Sequence, residues 1–288
     1  MTMHSKPQKE TEADARRAQV RERYRGFAVA GTQPDGNHPK GEGCGGSGTS
    51  SCCGGSSGSS CCGPDRGAIE LGYSAEDVEH LPEGANLGLG CGNPTALAAL
   101  RRGQVVLDLG SGGGIDCFVA SKQVGPKGHV IGVDMTPEMV AKARKNAQKG
   151  RYRNVEFRLG EIEHLPVADS SVDVVISNCV INLAPDKAPV YREAHRVLRP
   201  GGHFAVSDVV ATRPISAKDR ANPELWSSCS SGALQVAKIR TLLRKAGFSG
   251  VEIRPKNEGP TADSLAPQAT LGVFPADIVA TKPGVRSR

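Results

Sequence analysis

No apolar run in this sequence approaches the roughly 20 residues needed to cross a bilayer, so a membrane-spanning helix is excluded. The opening residues, MTMHSKPQKETEADARR, lack an apolar h-region, and no secretory signal is read. Aromatic residues are scarce, at 4% of the chain. The nine cysteines are an odd number and follow no export signal, which argues against a secreted disulfide scaffold. A reducing cytoplasm is the expectation, with thiols available for chemistry or for soft metals. Charge of one sign is also missing from the body of the chain. The formal charge is +6, but residues 1–30 supply +3 and Lys282–Arg288 another +3, leaving 26 of each sign between them. A nucleic-acid binder needs a basic stripe on a folded face, so neither nucleic acid nor membrane is expected as a partner.

What the chain has in excess is glycine, at 36 of 288 residues. Twelve of these lie between Gly31 and Gly67, together with five cysteines, Cys44, Cys52, Cys53, Cys61 and Cys62. That composition cannot bury enough apolar surface to offset its ordering entropy, and it reads as a flexible Gly/Ser/Cys-rich segment. Before it, Val20, Tyr24 and Phe27 recur at helical spacing within charged surroundings, predicting a helix over Glu10–Phe27. Ser74-Ala-Glu-Asp77 has the spacing of a capping box and predicts a helix start. From Gln104 onward, short β-branched runs (105–110, 129–134, 154–160, 172–178 and 203–209) alternate with helical stretches at Asp116–Val124, Pro137–Gly150 and Lys187–Leu198. This alternation predicts βαβ units and a doubly wound, mostly parallel α/β sheet. Arg199-Pro-Gly-Gly202 reads as a sharp stop. Val236–Ala246 reads as a further helix, with Val251–Ile253 and Asp277–Ala280 as closing strands. Three regions follow: 1–67, an N-terminal helix and Cys-rich segment; 68–254, the α/β domain; and 255–288, a C-terminal closing segment.

Directly after the first strand stands Asp108-Leu-Gly110-Ser111-Gly112-Gly-Gly114, opening a helix. Glycines there let the backbone approach a ligand and adopt positive φ, at the sheet edge where such folds bind ligands. A dinucleotide loop would place Gly or Ala where this sequence has Ile115 or Cys117, and no phosphate-loop Gly-Lys-Ser/Thr is present. The Asp-x-Gly-x-Gly-x-Gly form resembles the signature of class I S-adenosylmethionine-dependent methyltransferases. The resemblance implies that Asp134, ending the second strand, holds the ribose hydroxyls and that Glu161 lies near the adenine. It implies a cofactor set of Asp108, Gly110, Ser111, Gly112, Gly114, Asp116, Asp134, Met135, Glu161, Ile162 and Asn178.

The acceptor is sought among the cysteines, since the seven histidines are scattered and none is singled out as a base. Cys179 follows the fourth strand, Cys91 sits in the Gly-rich stretch Gly88–Pro94, and Cys229 lies in a Ser-rich stretch after the fifth strand. Three thiols on separated loops can converge above the cofactor, and thiolates select soft acceptors. Cys117, on the helix after the glycine loop, reads as structural. Over residues 70–255 the sequence closely resembles arsenite S-adenosylmethionine methyltransferases, in LGYSAED (71–77), PEGANLGLGCGNP (82–94), VLDLGSGGGIDCF (106–118), VIGVDMTPEM (130–139), NVEFRLGEIEHLP (154–166) and SNCVINLAPDK (177–187). The resemblance implies that Cys179 and Cys229 bind arsenite. It makes Cys91 a third site thiol that pairs with either Cys61 or Cys62, thioredoxin or glutathione serving as reductant. Cys44, Cys52 and Cys53 have no clear counterpart, and residues 255–288 match poorly. The implied function is methyl transfer from S-adenosylmethionine to trivalent arsenic in detoxification. Two other readings stand beside it: the same cofactor site serving a small organic acceptor, and a thiol-rich metalloid- or zinc-binding protein.

Overall fold

Parallel strands covered on both faces need near-continuous apolar sequence, and the β-branched runs supply it. The structure, a computed structural model, describes residues 7–30, 64–256 and 271–284. Among these residues lie strands β1 (Val105–Leu109), β2 (His129–Asp134), β3 (Val155–Leu159), β4 (Val172–Asn178), β5 (Leu198–Ala211), β6 (Ser249–Pro255) and β7 (Val273–Thr281). The helices are α1 (Pro7–Ala30), α2 (Pro64–Glu70), α3 (Ala75–Glu79), α4 (Pro94–Ala98), α5 (Ile115–Val124), α6 (Pro137–Lys149), α7 (Lys187–Val197), α8 (Ala217–Ala221), α9 (Pro223–Ser227) and α10 (Val236–Lys245). The strands form one sheet of order β3-β2-β1-β4-β5-β7-β6. Strands β1 to β5 are parallel, and β7 runs antiparallel to both β5 and β6. The doubly wound expectation holds. The segment read as C-terminal contributes β7, which lies inside the sheet.

Alternation along β1 splits the core. Leu107 and Leu109 join Val175, Phe204, Val206 and Ile278 beneath α7 and α10. Val106 faces the other way, with Phe118, Val130, Phe157 and Ile176 beneath α5 and α6. The strand order reverses between β1 and β4, and the crevice beyond their carboxyl ends is where such sheets bind ligands. Two loops therefore meet there by topology alone: the glycine loop after β1 and the Cys179 turn after β4.

The Ser74 cap forms as expected, its hydroxyl accepting from the Asp77 N–H while the Asp77 carboxylate accepts from the Ser74 N–H. The Arg199–Gly202 stop differs from expectation. It does not separate helix from strand but lies within β5, where Leu198 pairs with Val172 and His203 with Val174. The extra residues make a bulge, with Gly201 at φ +82°, so the turn signal was real but lies inside the strand. The first helix is longer than predicted, running from Pro7, which the first helical position tolerates, to Ala30.

Candidate functional site

The crevice holds a cavity of about 370 Å³, lined by the glycine loop, the loop 85–91, the turn after β4, the end of α9 and one face of α1. At the β1 side the backbone makes the wall. Gly110 has φ +73°, and a Cβ there would sit 2.4 Å from the Val180 side chain, so only glycine lets the loop pass that turn. A Cβ on Gly112 would meet nothing within 4 Å, leaving open space on that side of the loop. Ser111 Oγ is buried and has no hydrogen-bond partner. Asp134 accepts from the Gly112 N–H at 2.9 Å and the Thr136 N–H at 2.8 Å, so its carboxylate ties the loop to the end of β2. Burial raises the Asp134 pKa, and these N–H donors pull it back.

Asp108 lies beneath the loop rather than in the cavity, 2% exposed, accepting from the Cys117 thiol at 3.3 Å. Burial, then the nearby Asp116 charge, pushes its pKa well up. Asp116 does line the cavity; burial raises it to about 6, held there by hydrogen bonds from Tyr73 and Asn178. The Tyr73 hydroxyl donates to Asp116 Oδ1 at 2.6 Å. Asn178, at the end of β4, ties both halves of the crevice together. Its Nδ2 donates to the Gly92 carbonyl at 2.7 Å and to Asp116 Oδ2 at 3.3 Å. Its Oδ1 accepts from the Cys91 N–H at 2.9 Å. One side chain thereby fixes the Cys91 loop against the cofactor-side acid.

The three cysteines expected to converge do so. Cys91, Cys179 and Cys229 line the same cavity, and the Cys229 and Cys91 thiols, followed by burial, push the Cys179 pKa well up. The Cys91 thiol is also raised: the Cys179 thiol lowers it, but burial and the Asp208 and Cys229 charges outweigh that. Cys229 Sγ points at the Cys179 carbonyl, 2.7 Å away. Cys179 and Cys229 both hold the left-handed region, at φ +60° and +61°, uncommon for non-glycine residues and costing of order 1–3 kcal/mol each. Among the described residues, no group of three or more His, Cys, Asp or Glu is arranged to hold a metal ion. The thiols are neighbours, not a formed chelate. All three are free cysteines.

Several contributors carry no sequence motif. The Trp226 indole N–H donates to the Leu183 carbonyl at 3.1 Å, pinning the Cys229 turn to the turn after β4. Beneath them, Asn182 donates to Asp208 Oδ1 at 2.8 Å and to the Val209 carbonyl at 2.6 Å. Lys187 Nζ donates to the Ala184 and Asn182 carbonyls at 2.7 and 3.1 Å and lies 4.6 Å from the Trp226 ring centre. Burial lowers Lys187 to about 7 and raises Asp208 to about 6. Arg17, Val20, Arg23, Tyr24 and Phe27 of α1 line the cavity, although the sequence assigned that helix no role.

The remaining expected residues are placed as follows. Gly110, Ser111, Gly112, Asp116, Asp134, Met135, Ile162 and Asn178 line the cavity. Gly114 caps α5 behind it, at φ +99°. Glu161 is turned to the rim, pairing with Arg17 at 3.3 Å and Arg21 at 3.6 Å, while Glu163 lines the cavity in its place. Cys117 is fully buried. Cys44, Cys52, Cys53, Cys61 and Cys62, with His4 and His38, lie outside the described residues. No helix among the described residues is long and apolar enough to cross a membrane.

Comparison with known proteins bears on this geometry. The methyltransferase-domain family profile matches residues 100–247. An arsenite methyltransferase of Halobacterium salinarum is 52% identical over 242 residues, 84% of this chain and 59% of the relative. An arsenite methyltransferase of Aquipseudomonas alcaligenes is 46% identical over 167 residues, 56% of this chain and 48% of the relative. The chain thus spans between about half and three fifths of the length of these curated relatives. The crystal structure of an arsenic(III) S-adenosylmethionine methyltransferase from Chlamydomonas reinhardtii superposes with a TM-score of 0.59 at 37% identity, covering 78% of this chain and 75% of that one.

Proposed function

Because the chain belongs to the arsenite S-adenosylmethionine methyltransferase family, we propose that it transfers methyl groups from S-adenosylmethionine to trivalent arsenic held by its cysteines. The observation that carries this reading is that Cys91, Cys179 and Cys229 line one cavity together with the glycine loop. The cofactor wall fits its ligand: open space over Gly112, an unpartnered buried Ser111 hydroxyl, and the Asp134 carboxylate at the loop's edge. Gly110, Ser111, Gly112, Asp134, Met135, Ile162 and Asn178 would hold it. When bound there, the cofactor supplies an electrophilic sulfonium methyl group.

The chain's own residues then have two tasks. The first is to bind arsenic. Each neutral thiol condenses with an As–OH group, forming an As–S bond while the sulfhydryl proton leaves with hydroxide as water. Raised thiol pKa values are compatible with this, because proton and leaving group depart together. The second is orientation. Sulfur ligands from Cys91, Cys179 and Cys229 leave the arsenic lone pair on the opposite side, and the Asn178 bridge fixes the Cys91 loop relative to the glycine loop. No general base is needed, since the lone pair itself forms the As–C bond. Such alignment is worth roughly 7–11 kcal/mol where two reactants are held for in-line attack.

Forming that bond oxidises arsenic by two electrons. In this reading Cys91 and either Cys61 or Cys62 return two electrons by forming a disulfide, and thioredoxin or glutathione reduces it. The setting is detoxification in a reducing compartment. The decisive experiment measures S-adenosylhomocysteine formation with and without arsenite in the presence of a thiol reductant. Arsenite-dependent formation is expected; formation that ignores arsenite would shift the reading to a small organic acceptor.

A further inference from the structure

Residues in register on neighbouring strands present their side chains on the same face of a sheet. Asn178 of β4 pairs with Ser207 of β5, and Ser207 pairs with Asp277 of β7, so the three form a row across the sheet at the level where β4 ends. Lys256, the residue after β6, reaches this row from the segment that matched the family motifs poorly. Its Nζ donates to Ser207 Oγ at 2.9 Å and pairs with Asp277 Oδ1 at 2.8 Å. The Ser207 hydroxyl donates to the same carboxylate oxygen at 3.0 Å. Ser207 is fully buried, and its carbonyl accepts from the Cys179 N–H at 2.8 Å.

The Cys91 turn is seated on this cluster. Asn178 holds the Cys91 N–H and the Gly92 carbonyl. The ammonium lies against Gly92 itself: a Cβ there would stand 1.6 Å from Lys256 Nζ and 2.8 Å from Ser207 Oγ. Gly88 and Gly90 of the same loop have positive φ, but Gly92 does not, so its backbone conformation does not call for glycine. The close approach of Lys256 does. Because the obstacle is the end of a flexible side chain, a methyl group at position 92 would displace the ammonium and leave the strands in place.

We propose that Lys256, anchored by Ser207 and Asp277, is a positioning residue that seats the Cys91 turn against Asn178. The proposal rests on the arsenic reading, in which Cys91 must meet a ligand shared with Cys179 and Cys229. Through Ser207 the same cluster braces the Cys179 turn, so two of the three thiols share one support. The C-terminal segment thereby gains a part in the thiol wall, beyond closing the sheet.

The test is a double-mutant cycle in the full chain. The single tryptophan, Trp226, three residues from Cys229, reports arsenite binding by fluorescence, and hydrogen exchange reports the Cys91 turn without arsenite. Lys256→Ala removes the ammonium, and Gly92→Ala puts a methyl group in its place. Each should weaken arsenite affinity by about 3- to 10-fold and speed amide exchange at Cys91 by a similar factor, with cofactor affinity by calorimetry unchanged. Combined, they should cost no more than either alone, because the methyl group has room once the ammonium is gone. Wild-type arsenite affinity or wild-type Cys91 exchange in Lys256→Ala overturns the proposal, as do effects that multiply in the double variant. So does exchange that quickens equally along β6 and β7, the behaviour of a residue that only fastens strands. Should Lys256→Ala not fold, Asp277→Asn removes the countercharge and is read at the same amide. Exchange about 2- to 3-fold faster then supports the seat, and unchanged exchange overturns it. If the wild-type protein shows neither arsenite-dependent quenching nor arsenite-dependent turnover, the arsenic reading itself fails, while the exchange data still decide the seating.

Discussion

The two walls of the cavity are assembled in opposite ways. The cofactor wall is a run of neighbouring residues, Gly110 to Gly114, shaped by backbone and tied by Asp134. The thiol wall draws one cysteine from each of three distant loops, adds a face of α1, and holds two of its cysteines at positive φ. A local loop carries its geometry with it, whereas a composite wall depends on every element that braces it. Damage to the first should therefore stay confined to cofactor binding, and damage to the second should, on the proposed function, reach arsenic binding through packing as well as chemistry.

The sharpest way to separate the walls is to remove sulfur. Cys179→Ser and Cys229→Ser should each lower arsenite-dependent S-adenosylhomocysteine formation by at least about 100-fold, because hydroxyls do not replace soft thiolates as ligands. Cofactor affinity, by calorimetry, should remain within about 3-fold of wild type. The converse variant is Asp134→Asn. Losing a charged acceptor should weaken cofactor binding by roughly 10- to 30-fold, while Trp226 quenching by arsenite keeps its midpoint. Asn178→Ala should blur the distinction, since Asn178 joins the Cys91 loop to Asp116. Losses of about 3- to 10-fold are expected in both affinities, and a loss in only one would show that the bridge is idle.

Lys187→Met should have the smallest effect on binding and a clear one on stability. The ammonium is buried with a pKa lowered to about 7, so the unfolded chain binds its proton more readily between that pH and the ordinary lysine value. Stability in wild type should therefore gain a rising contribution across that interval, and the burden of the buried charge is fully present below pH 7. The variant should lose that rise. The Asn182 and Ala184 carbonyls lose their donor, a cost of about 1–3 kcal/mol that relief from the buried charge offsets at neutral pH and no longer offsets near pH 10. Denaturant melts at several pH values measure both.

Local chemistry was legible before the fold was known, and distant chemistry was not. Strands β1 to β4 and the glycine loop follow from β-branched runs and glycine spacing, which act over a few residues. The capping box at Ser74 was equally local. The resemblance of the motifs brought Cys91, Cys179 and Cys229 together on paper, and the sheet's reversal between β1 and β4 gives a physical reason for the Cys179 turn meeting the glycine loop. The Arg199–Gly202 signal was readable as a turn, but its place inside β5 depends on pairing with β4. Asn182 and Lys187 gave no sign at all, and Tyr24 showed only as one position of an apolar stripe. Their importance comes from contacts with residues far along the chain, and a tyrosine on a helical apolar stripe looks like any core residue. The inward face of α1 was nonetheless visible, in the spacing of Val20, Tyr24 and Phe27.

The span between α1 and its partners has a consequence during synthesis. Arg16 meets the Arg220 carbonyl, and Arg23 meets Ser227, each across 204 residues. At a translation rate of about 5–20 residues per second, α1 waits on the order of ten seconds or more for the segment it will close upon. Contacts of such separation are expected to form late. The thiol pocket would then be sealed only after the sheet beneath it exists, so a nascent chain carries its cysteines apart and, on the proposed function, has no site in which to trap the metalloid early.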